Sequence, residues 1–205
     1  MKALVTGGGG FLGKAIVGKL IARGDEVRTL QRSHYPELDE LGAVQVQGDL
    51  ADYDRVAEAA AGSDTVFHVA AKAGVGGTRR EYELANVLGT ENVLAACRAH
   101  GISRLVYTSS PSVVHGFEDM EGIDESAPYP SRYEAHYPAT KAAAEQLVMA
   151  ANDEQLATVS LRPHLIWGPG DNNLAPRFIA RARKGRLRLV GGGHKLIDTV
   201  YVDNA

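Results

Sequence analysis

A glycine-rich stretch near the N-terminus constrains the fold of this chain more than any other feature. The segment Ala3-Leu-Val-Thr6 is typical of a buried strand, and the residues after it include four consecutive glycines before Gly13. Beyond the glycines, Leu12, Ile16 and Leu20 recur at a spacing of four residues, which is typical of a helix with one packed face. The sequence therefore predicts a strand, a glycine turn and a helix, in that order.

The spacing of these glycines predicts a dinucleotide site. Gly7, Gly10 and Gly13 follow the predicted strand directly. Glycine adopts positive φ angles and has no Cβ to separate the backbone from a ligand. The free N–H groups and the dipole of the following helix favour an anion such as a pyrophosphate. A plain glycine-rich turn is the alternative, but the strand before it and the helix after it favour dinucleotide binding.

Composition narrows the class of protein. The 205 residues are 44% hydrophobic, which is enough for a well-formed core, and the net charge of −3 argues against nucleic-acid binding. A single cysteine, Cys97, excludes an internal disulfide framework, so we expect a cytoplasmic protein. We expect no signal peptide and no membrane span. The histidines are not spaced as metal ligands, so no metal site is expected, and His68 is interpreted as a core residue.

Strand-like and helix-like segments alternate along the chain. This alternation predicts an α/β fold, a Rossmann-like doubly wound parallel sheet with helices on both faces, whose ligands lie at the carboxyl ends of the strands. We expect a dinucleotide-binding domain over residues 1–165 and the start of a substrate lobe over 166–205. The predicted strands are 3–6, 26–30, 43–47, 65–70, 104–108, 158–162, 187–190 and 199–202. The predicted helices are 14–23, 36–41, 52–62, 81–100, 137–151 and 174–184, with loops at 72–78 and 115–136 and a turn over 163–170.

The end of the second predicted strand bears on cofactor choice. The sequence there is Gln31-Arg32-Ser33, with no acidic residue to bind the ribose hydroxyls of NAD. An arginine at this place accommodates the 2′-phosphate of NADP. Arg32 and Ser33 therefore predict a preference for NADP(H), with NAD(H) also possible. The alternative is that Arg32 is only an exposed arginine on a mobile loop.

A second motif supplies candidate chemistry. Tyr137 and Lys141 are four residues apart in a predicted helix, so their side chains share one face. The ammonium is expected to favour the phenolate and lower the phenol pKa, so that the pair can exchange a proton with an alcohol or carbonyl oxygen. Ser109 and Ser110, which follow the fifth strand, offer a hydroxyl to hold that oxygen. Alone, such a pair is most often a surface pair, but its combination with the glycine turn indicates a site.

Taken together, these motifs resemble the extended short-chain dehydrogenase/reductases of the epimerase/dehydratase superfamily. Within them the chain is similar to the 3β-hydroxysteroid dehydrogenase-like branch, including bacterial reductases of 2-alkyl-3-oxo acids in olefin biosynthesis. The family motifs are Thr6-Gly-Gly-Gly-Gly-Phe-Leu-Gly13, Gly48-Asp49-Leu50, His68-Val-Ala-Ala71, Asn86-Val-Leu-Gly-Thr-Glu-Asn92, Tyr107-Thr-Ser-Ser110, Tyr137-Pro-Ala-Thr-Lys141, Arg162-Pro163, Gly168-Pro-Gly170 and Tyr201-Val-Asp-Asn204. The branch is indicated by Arg32-Ser-His-Tyr-Pro-Glu-Leu38, Ala71-Lys-Ala-Gly74, Cys97-Arg-Ala-His-Gly-Ile-Ser-Arg-Leu105 and Ser110-Pro-Ser-Val113.

The resemblance implies a role for each matching residue. Ser110, Tyr137 and Lys141 would be catalytic, with Ser109 a weaker candidate for the serine, and Asn86 is interpreted as structural. Asp49 and Leu50 would contact adenine, whereas Ala70 and Ala71 would lie on the path to the nicotinamide. The complete set implied for cofactor binding is Gly7, Gly10, Phe11, Leu12, Gly13, Arg32, Ser33, Asp49, Leu50, Ala70, Ala71, Tyr137, Lys141 and Pro163.

The implied activity is the NADP(H)-dependent reduction of the 3-oxo group of a long-chain 2-alkyl-3-oxo acid. The alternatives are a 3β-hydroxysteroid or sterol-carboxylate dehydrogenase, a nucleotide-sugar epimerase or dehydratase, and a non-catalytic NADP-binding regulator. Since residues 137–151 are apolar nearly all round, we expect a homodimer formed through helices 81–100 and 137–151. Family members continue well past the Tyr-Val-Asp-Asn motif, so we expect the substrate lobe to be incomplete in this chain.

Overall fold

A computed structural model of the chain describes residues 1–74, 76–116, 118–172, 174–188 and 191–205. The residues form two units, 1–162 and 163–205. The sequence placed this boundary after residue 165. Each unit is described separately below.

The first unit is built on a parallel sheet of six strands, as the alternation of strands and helices predicts. The strand order is β3-β2-β1-β4-β5-β6, so β1 and β4 are neighbours at the centre of the sheet. From β1 the strands are added toward one edge of the sheet, and from β4 they are added toward the other edge. This reversal creates a crevice at the carboxyl ends of the central strands, which is where ligands bind in such sheets. The strands are β1 (Lys2–Thr6), β2 (Glu26–Gln31), β3 (Val44–Gln47), β4 (Thr65–His68), β5 (Arg104–Thr108) and β6 (Ala157–Leu161).

Helices cover both faces of this sheet. Successive residues of β1 point to opposite faces: Leu4 packs in one buried apolar cluster, and Ala3 and Val5 pack in the other. The Leu4 cluster also includes Cys97, which is buried as a core thiol. The helices are α1 (Phe11–Ala22), α2 (Pro36–Leu41), α3 (Tyr53–Ala60), α4 (Arg79–Tyr82), α5 (Gly89–Ala99) and α6 (His136–Ala150).

β4 is shorter than the predicted strand, which was extended to residue 70. The strand ends at His68 because the next two backbone N–H groups leave the ladder. Both the N–H of Val69 and that of Ala70 donate to the hydroxyl oxygen of Thr6, at 3.1 and 3.2 Å. The end of β4 is therefore turned toward the glycine turn that follows β1.

The predicted helix over residues 81–100 is wrong in two details. It begins at Arg79, because Thr78 and Glu81 form a capping box in which each side chain accepts a hydrogen bond from the other's backbone. It is also not a continuous α-helix, since the segment Glu83–Leu88 between α4 and α5 is a π-helix. Such wide turns are frequent at functional sites.

α6 is covered on one face only. Its buried residues include Lys141, Glu145 and Val148, whereas Met149 on the other side is 51% exposed. The exposed residues of α6 are His136, Gln146, Met149 and Ala150.

The second unit contains β7 (Leu165–Trp167), α7 (Leu174–Arg183) and β8 (Thr199–Tyr201). β7 and β8 pair in parallel, so the predicted turn over 163–170 misses a three-residue strand. The predicted strand at 187–190 falls partly outside the described residues, and its described part, 187–188, is not in a strand. None of the helices in the described ranges has the length and apolar character that crossing a bilayer requires.

Candidate active site

A cavity of about 620 Å³ opens at the carboxyl ends of the central strands of the first unit. Its wall is formed by the glycine turn after β1, the segments that follow β2, β3 and β4, and the start of the long helix. The sequence-predicted cofactor residues that line it are Gly7, Gly10, Phe11, Leu12, Gly13, Arg32, Ser33, Asp49, Leu50, Ala70 and Ala71.

The glycine turn is shaped by close backbone approaches. Gly7 has a φ of +72°, and a Cβ on it would lie 2.9 Å from the Cα of Ala70. A Cβ on Gly13 would overlap the carbonyl oxygen of Gly7 and lie 2.8 Å from its carbonyl carbon. At both positions a side chain would force backbone atoms apart, so the turn can reach this shape only with glycine.

A contact between Gly9 and Tyr35 was not predicted from the sequence. The ring of Tyr35 lies against Gly9, where a Cβ would overlap the ring and lie 2.5 Å from its Cζ atom. Lys14 places its ammonium 5.5 Å from the centre of the same ring. Both Gly9 and Tyr35 line the cavity. Tyr35 is 26 residues from Gly9, so no local pattern could have indicated the contact.

The segment that carries Arg32 and Ser33 is held in place by a single side chain of β3. The Gln45 amide oxygen accepts hydrogen bonds from the Gln31 side chain and the backbone N–H of Tyr35, both at 3.0 Å. Its amide nitrogen donates to the backbone oxygen of Tyr35 at 2.9 Å. Arg32 is exposed and has no hydrogen bond or ion pair within the described ranges. Its guanidinium is thus a free donor on a fixed segment at the cavity wall.

His68 connects the glycine turn to the long helix through a chain of buried hydroxyl groups. Its Nδ1 atom is 2.7 Å from the Thr6 hydroxyl, and its Nε2 atom is 3.0 Å from the Thr90 hydroxyl. Because the Thr6 oxygen already accepts two N–H groups from the segment after β4, its proton is directed to Nδ1, so Nε2 carries the ring proton. Burial lowers the pKa of His68 to about 3, so the ring is neutral. The interpretation of His68 as a core histidine with satisfied hydrogen bonds is confirmed.

The π-helix places Asn86 between two parts of the site. The Asn86 amide oxygen accepts the backbone N–H of Lys72 at 2.7 Å, and its amide nitrogen donates to the Thr140 hydroxyl at 3.0 Å. Lys72 lines the cavity, and Thr140 precedes Lys141 on α6. Asn86 therefore ties the cavity wall to the helix that carries the candidate catalytic pair.

Tyr137 lies in the first turn of α6, beside the segment that follows β5. Burial raises the pKa of the Tyr137 phenol above its usual range, and a hydrogen bond with the Ser110 side chain offsets part of that rise. The Ser110 hydroxyl also lies 2.9 Å from that of Ser112. The sequence predicts a lowered pKa from the Lys141 ammonium, and the structure shows the opposite direction. The phenol is therefore protonated at neutral pH.

Lys141 does not lower the pKa of the phenol, because its ammonium is directed toward β5. Its ammonium donates to the backbone oxygen of Thr108 at 2.6 Å and lies 4.0 Å from the centre of the Tyr107 ring. The side chain is buried, which lowers the pKa of Lys141 to about 7, although the negative charge of Glu145 opposes this fall. Glu145 is in turn paired with Arg162 and accepts the Tyr129 hydroxyl at 2.6 Å. The last predicted residue, Pro163, belongs to the second unit, so its contact with a cofactor stays a prediction.

The fold and the cavity define a nucleotide-binding protein of the extended short-chain dehydrogenase/reductase type. The model of the 3-beta hydroxysteroid dehydrogenase/isomerase family matches residues 4–205. The chain therefore belongs to this family, as the sequence motifs indicated.

Individual relatives agree with this assignment. The chain is 59% identical to the 2-alkyl-3-oxoalkanoate reductase of Stenotrophomonas maltophilia over its whole length, which corresponds to 63% of that relative. It is 53% identical to the 2-alkyl-3-oxoalkanoate reductase of Shewanella oneidensis over 99% of the chain and 54% of the relative. The UDP-glucose 4-epimerase of Thermus thermophilus, solved with NAD, superposes with a TM-score of 0.82 at 32% identity, over 98% of this chain and 71% of that structure. The chain thus spans less than two thirds of the two curated relatives.

Proposed function

We propose that the protein reduces a ketone with a nicotinamide cofactor, with NADP(H) preferred over NAD(H). The observation that carries the proposal is the link through Asn86 between Lys72, which lines the glycine-walled cavity, and Thr140 on α6, the helix that carries Tyr137 and Lys141 beside Ser110. The residues present fit a dinucleotide. Gly7 and Gly13 permit the tight backbone turn that brings the start of α1 to the cavity, where free N–H groups favour an anion such as a pyrophosphate. The NAD-bound epimerase structure supports this cofactor class.

Several features of the cavity wall support the preference for NADP(H). Arg32 and Ser33 line the cavity at the end of β2, on a segment that Gln45 holds fixed. A guanidinium offers a planar group of donors that matches a phosphate, and a free guanidinium has none of its donors committed elsewhere. Fixation by Gln45 argues against the alternative of an arginine on a mobile loop.

We expect Arg32→Asp to reverse the preference between the two cofactors. The carboxylate would repel a 2′-phosphate and accept bonds from a ribose hydroxyl. The variant loses the charge-assisted pair between the guanidinium and the 2′-phosphate and gains a repulsion. We therefore expect the ratio of kcat/KM for NADPH to kcat/KM for NADH to fall by roughly 10²-fold. The control is Arg104→Asp, the same charge change at an exposed residue where β5 begins. Equal use of both cofactors by the unaltered protein, or an unchanged preference in Arg32→Asp, would rule out the assignment.

The chemistry rests on three side chains. The bound cofactor would supply a hydride to the carbonyl carbon. The protonated Tyr137 phenol would donate its proton to the carbonyl oxygen, and the Ser110 hydroxyl would hold that oxygen by a hydrogen bond. The Lys141 ammonium would bind the ribose hydroxyls of the cofactor. Reduction requires the protonated form of Tyr137, and burial, which raises its pKa, stabilises that form.

The proposed substrate is a long-chain 2-alkyl-3-oxo acid, which is reduced at C3 to the 3-hydroxy acid. The two relatives named for this activity support the choice. The test is NADPH consumption by the purified protein with a 2-alkyl-3-oxo acid, a 3-ketosteroid or a UDP-sugar. We expect turnover with the 3-oxo acid at least ~10-fold faster, in kcat/KM, than with the steroid, as a pocket that fits flexible chains would discriminate. A preference for the steroid would favour a 3β-hydroxysteroid dehydrogenase, which the matching family model keeps as the second candidate.

Two other results would contradict the proposal altogether. Interconversion of the UDP-sugar without net cofactor consumption would indicate an epimerase. Tight binding of NADPH without turnover of any compound would indicate a regulatory protein.

We further propose a homodimer through the helices at 81–100 and 137–151. On α6, Met149 is 51% exposed, and Ala139 and Ala143 are half-buried. Small side chains allow close helix approach, and a two-fold axis would place α6 against its copy. We expect light scattering at micromolar concentration to give a dimer, and Met149→Glu to give a monomer. Ile123→Glu, at an equally exposed residue of the loop, is the control and should stay dimeric. A monomer for the unaltered protein would contradict the proposal.

A further inference from the structure

The aromatic ring of Tyr107 lies beneath the candidate catalytic lysine. The Lys141 ammonium is 4.0 Å from the ring centre, and both side chains are almost fully buried, with 2% and 1% of their surface exposed. An ammonium over the face of a ring is attracted by the negative charge of that face, and the attraction is stronger when water is excluded. Tyr107 belongs to β5, two residues before Ser109, and so is fixed by the sheet.

Few other groups are placed to hold this charge. On β4, His68 is neutral and cannot oppose or pair with it. On α6, Tyr137 is a protonated phenol, and Glu145 shares its charge with Arg162, whose Nη2 and Nε atoms both contact its carboxylate. The backbone oxygen of Thr108 accepts one of the three ammonium protons. The ring face therefore adds to the stabilisation that the Glu145 charge and the Thr108 carbonyl oxygen give to the charged form of the lysine.

The ring, and not the hydroxyl, makes this contact. The Tyr107 hydroxyl is buried and, within the described ranges, has no hydrogen-bond partner of acceptable geometry, although Thr90 is close. The ring is tilted by 40° relative to that of His68, with 5.5 Å between the ring centres. A phenylalanine would keep the face toward Lys141, whereas an aliphatic side chain of similar volume would remove it.

We propose that Tyr107 is a positioning residue that holds the Lys141 ammonium charged and in place through its aromatic face. The inference rests on the proposed function, in which the charged lysine binds the ribose hydroxyls of the cofactor. Loss of the ring face would make the charged form less favourable. Lys141 would then lose its proton at a lower pH, and cofactor affinity would fall at a lower pH.

The test is the pH dependence of the NADPH dissociation constant, measured without substrate between pH 5 and 9. We expect the affinity of the unaltered protein to fall as the pH rises through a midpoint set by Lys141. In Tyr107→Met the midpoint should move down by about one pH unit, as the loss of a desolvated ammonium–ring contact implies. Tyr107→Phe keeps the ring face and should have the same midpoint as the unaltered protein. Leu105→Ala, which removes buried volume from the same strand without touching Lys141, should lower stability and leave the midpoint unchanged.

Several results would overturn the inference. They are an unchanged midpoint in Tyr107→Met, an equal shift in Tyr107→Phe, or the same shift in Leu105→Ala. Should Tyr107→Met fail to fold, Tyr107→Leu is measured in its place with the same expectation. The test uses no substrate, so it gives a result even for a protein that reduces none of the offered ketones. Failure of the inference on Tyr107 is therefore distinguishable from failure of the proposed function.

Discussion

Replacement of Tyr137 by phenylalanine is expected to lower kcat by ~10²- to 10⁴-fold while leaving the dissociation constant of NADPH within a few-fold of its original value. The substitution removes the proton donor and keeps the ring. Tyr137 lies in the first turn of α6, next to Ser110, with its pKa raised by burial, so the phenol holds its proton until the carbonyl oxygen takes it. A residue that only filled space would affect binding and turnover together.

The measurement combines a turnover assay with a fluorescence titration of NADPH. The control is Tyr53→Phe, the same chemical change at an exposed residue at the start of α3, where no loss of turnover is expected. Turnover of Tyr137→Phe within a few-fold of the unaltered protein would mean that another group supplies the proton.

The second large effect is expected at the glycine turn. In Gly13→Ala the new Cβ would overlap the carbonyl oxygen of Gly7, so the backbone of the turn must move. Overpacking of this kind costs about 1–3 kcal/mol of stability. Displacement of the N–H groups that face a pyrophosphate corresponds to the loss of at least one charge-assisted hydrogen bond, or roughly 10- to 100-fold in NADPH affinity.

The same helix offers a matched control. Gly18 lies one and a half turns further along α1, and nothing lies within 4 Å of the place where its Cβ would be. Gly18→Ala should therefore raise stability by up to about 1 kcal/mol, since alanine is the better helix former, and leave NADPH affinity unchanged. For both variants, urea unfolding measures stability and cofactor titration measures NADPH affinity. A Gly13→Ala protein as stable and as tight-binding as Gly18→Ala would show that the turn does not need its shape.

The parts of the fold that depend on local pattern were predictable from the sequence. The β1 strand, the glycine turn and α1 follow from a short run of residues. Arg32 and Ser33 follow from the rule that ligands lie at the carboxyl ends of parallel strands, whereas Asp49, Leu50, Ala70 and Ala71 were implied by the family resemblance. The start of α3 is likewise set by close neighbours, because the Asp52 side chain accepts the N–H groups of Asp54 and Arg55. In each case the determining residues are close neighbours in sequence.

What the sequence did not show depends on distant partners. β7 is three residues long and pairs with β8 more than thirty residues later, so it carries no recognisable period. The π-helix carries Asn86, whose partners Lys72 and Thr140 are 14 and 54 residues away. The direction of the Tyr137 pKa also depends on tertiary contacts, because Lys141 is directed to Thr108 and Tyr107 on β5.

The central claim, that Tyr137 and the cofactor cavity together reduce a 3-oxo group, is tested most directly by isotope transfer. The protein is given NADPH deuterated at C4 of the nicotinamide, a different preparation being used for each face of the ring, together with a 2-alkyl-3-oxo acid. The account predicts that one of the two preparations places a single deuterium at C3 of the 3-hydroxy acid, as mass spectrometry would show. A 3-hydroxy acid without deuterium from either preparation, or deuterated cofactor left unconsumed, would contradict it.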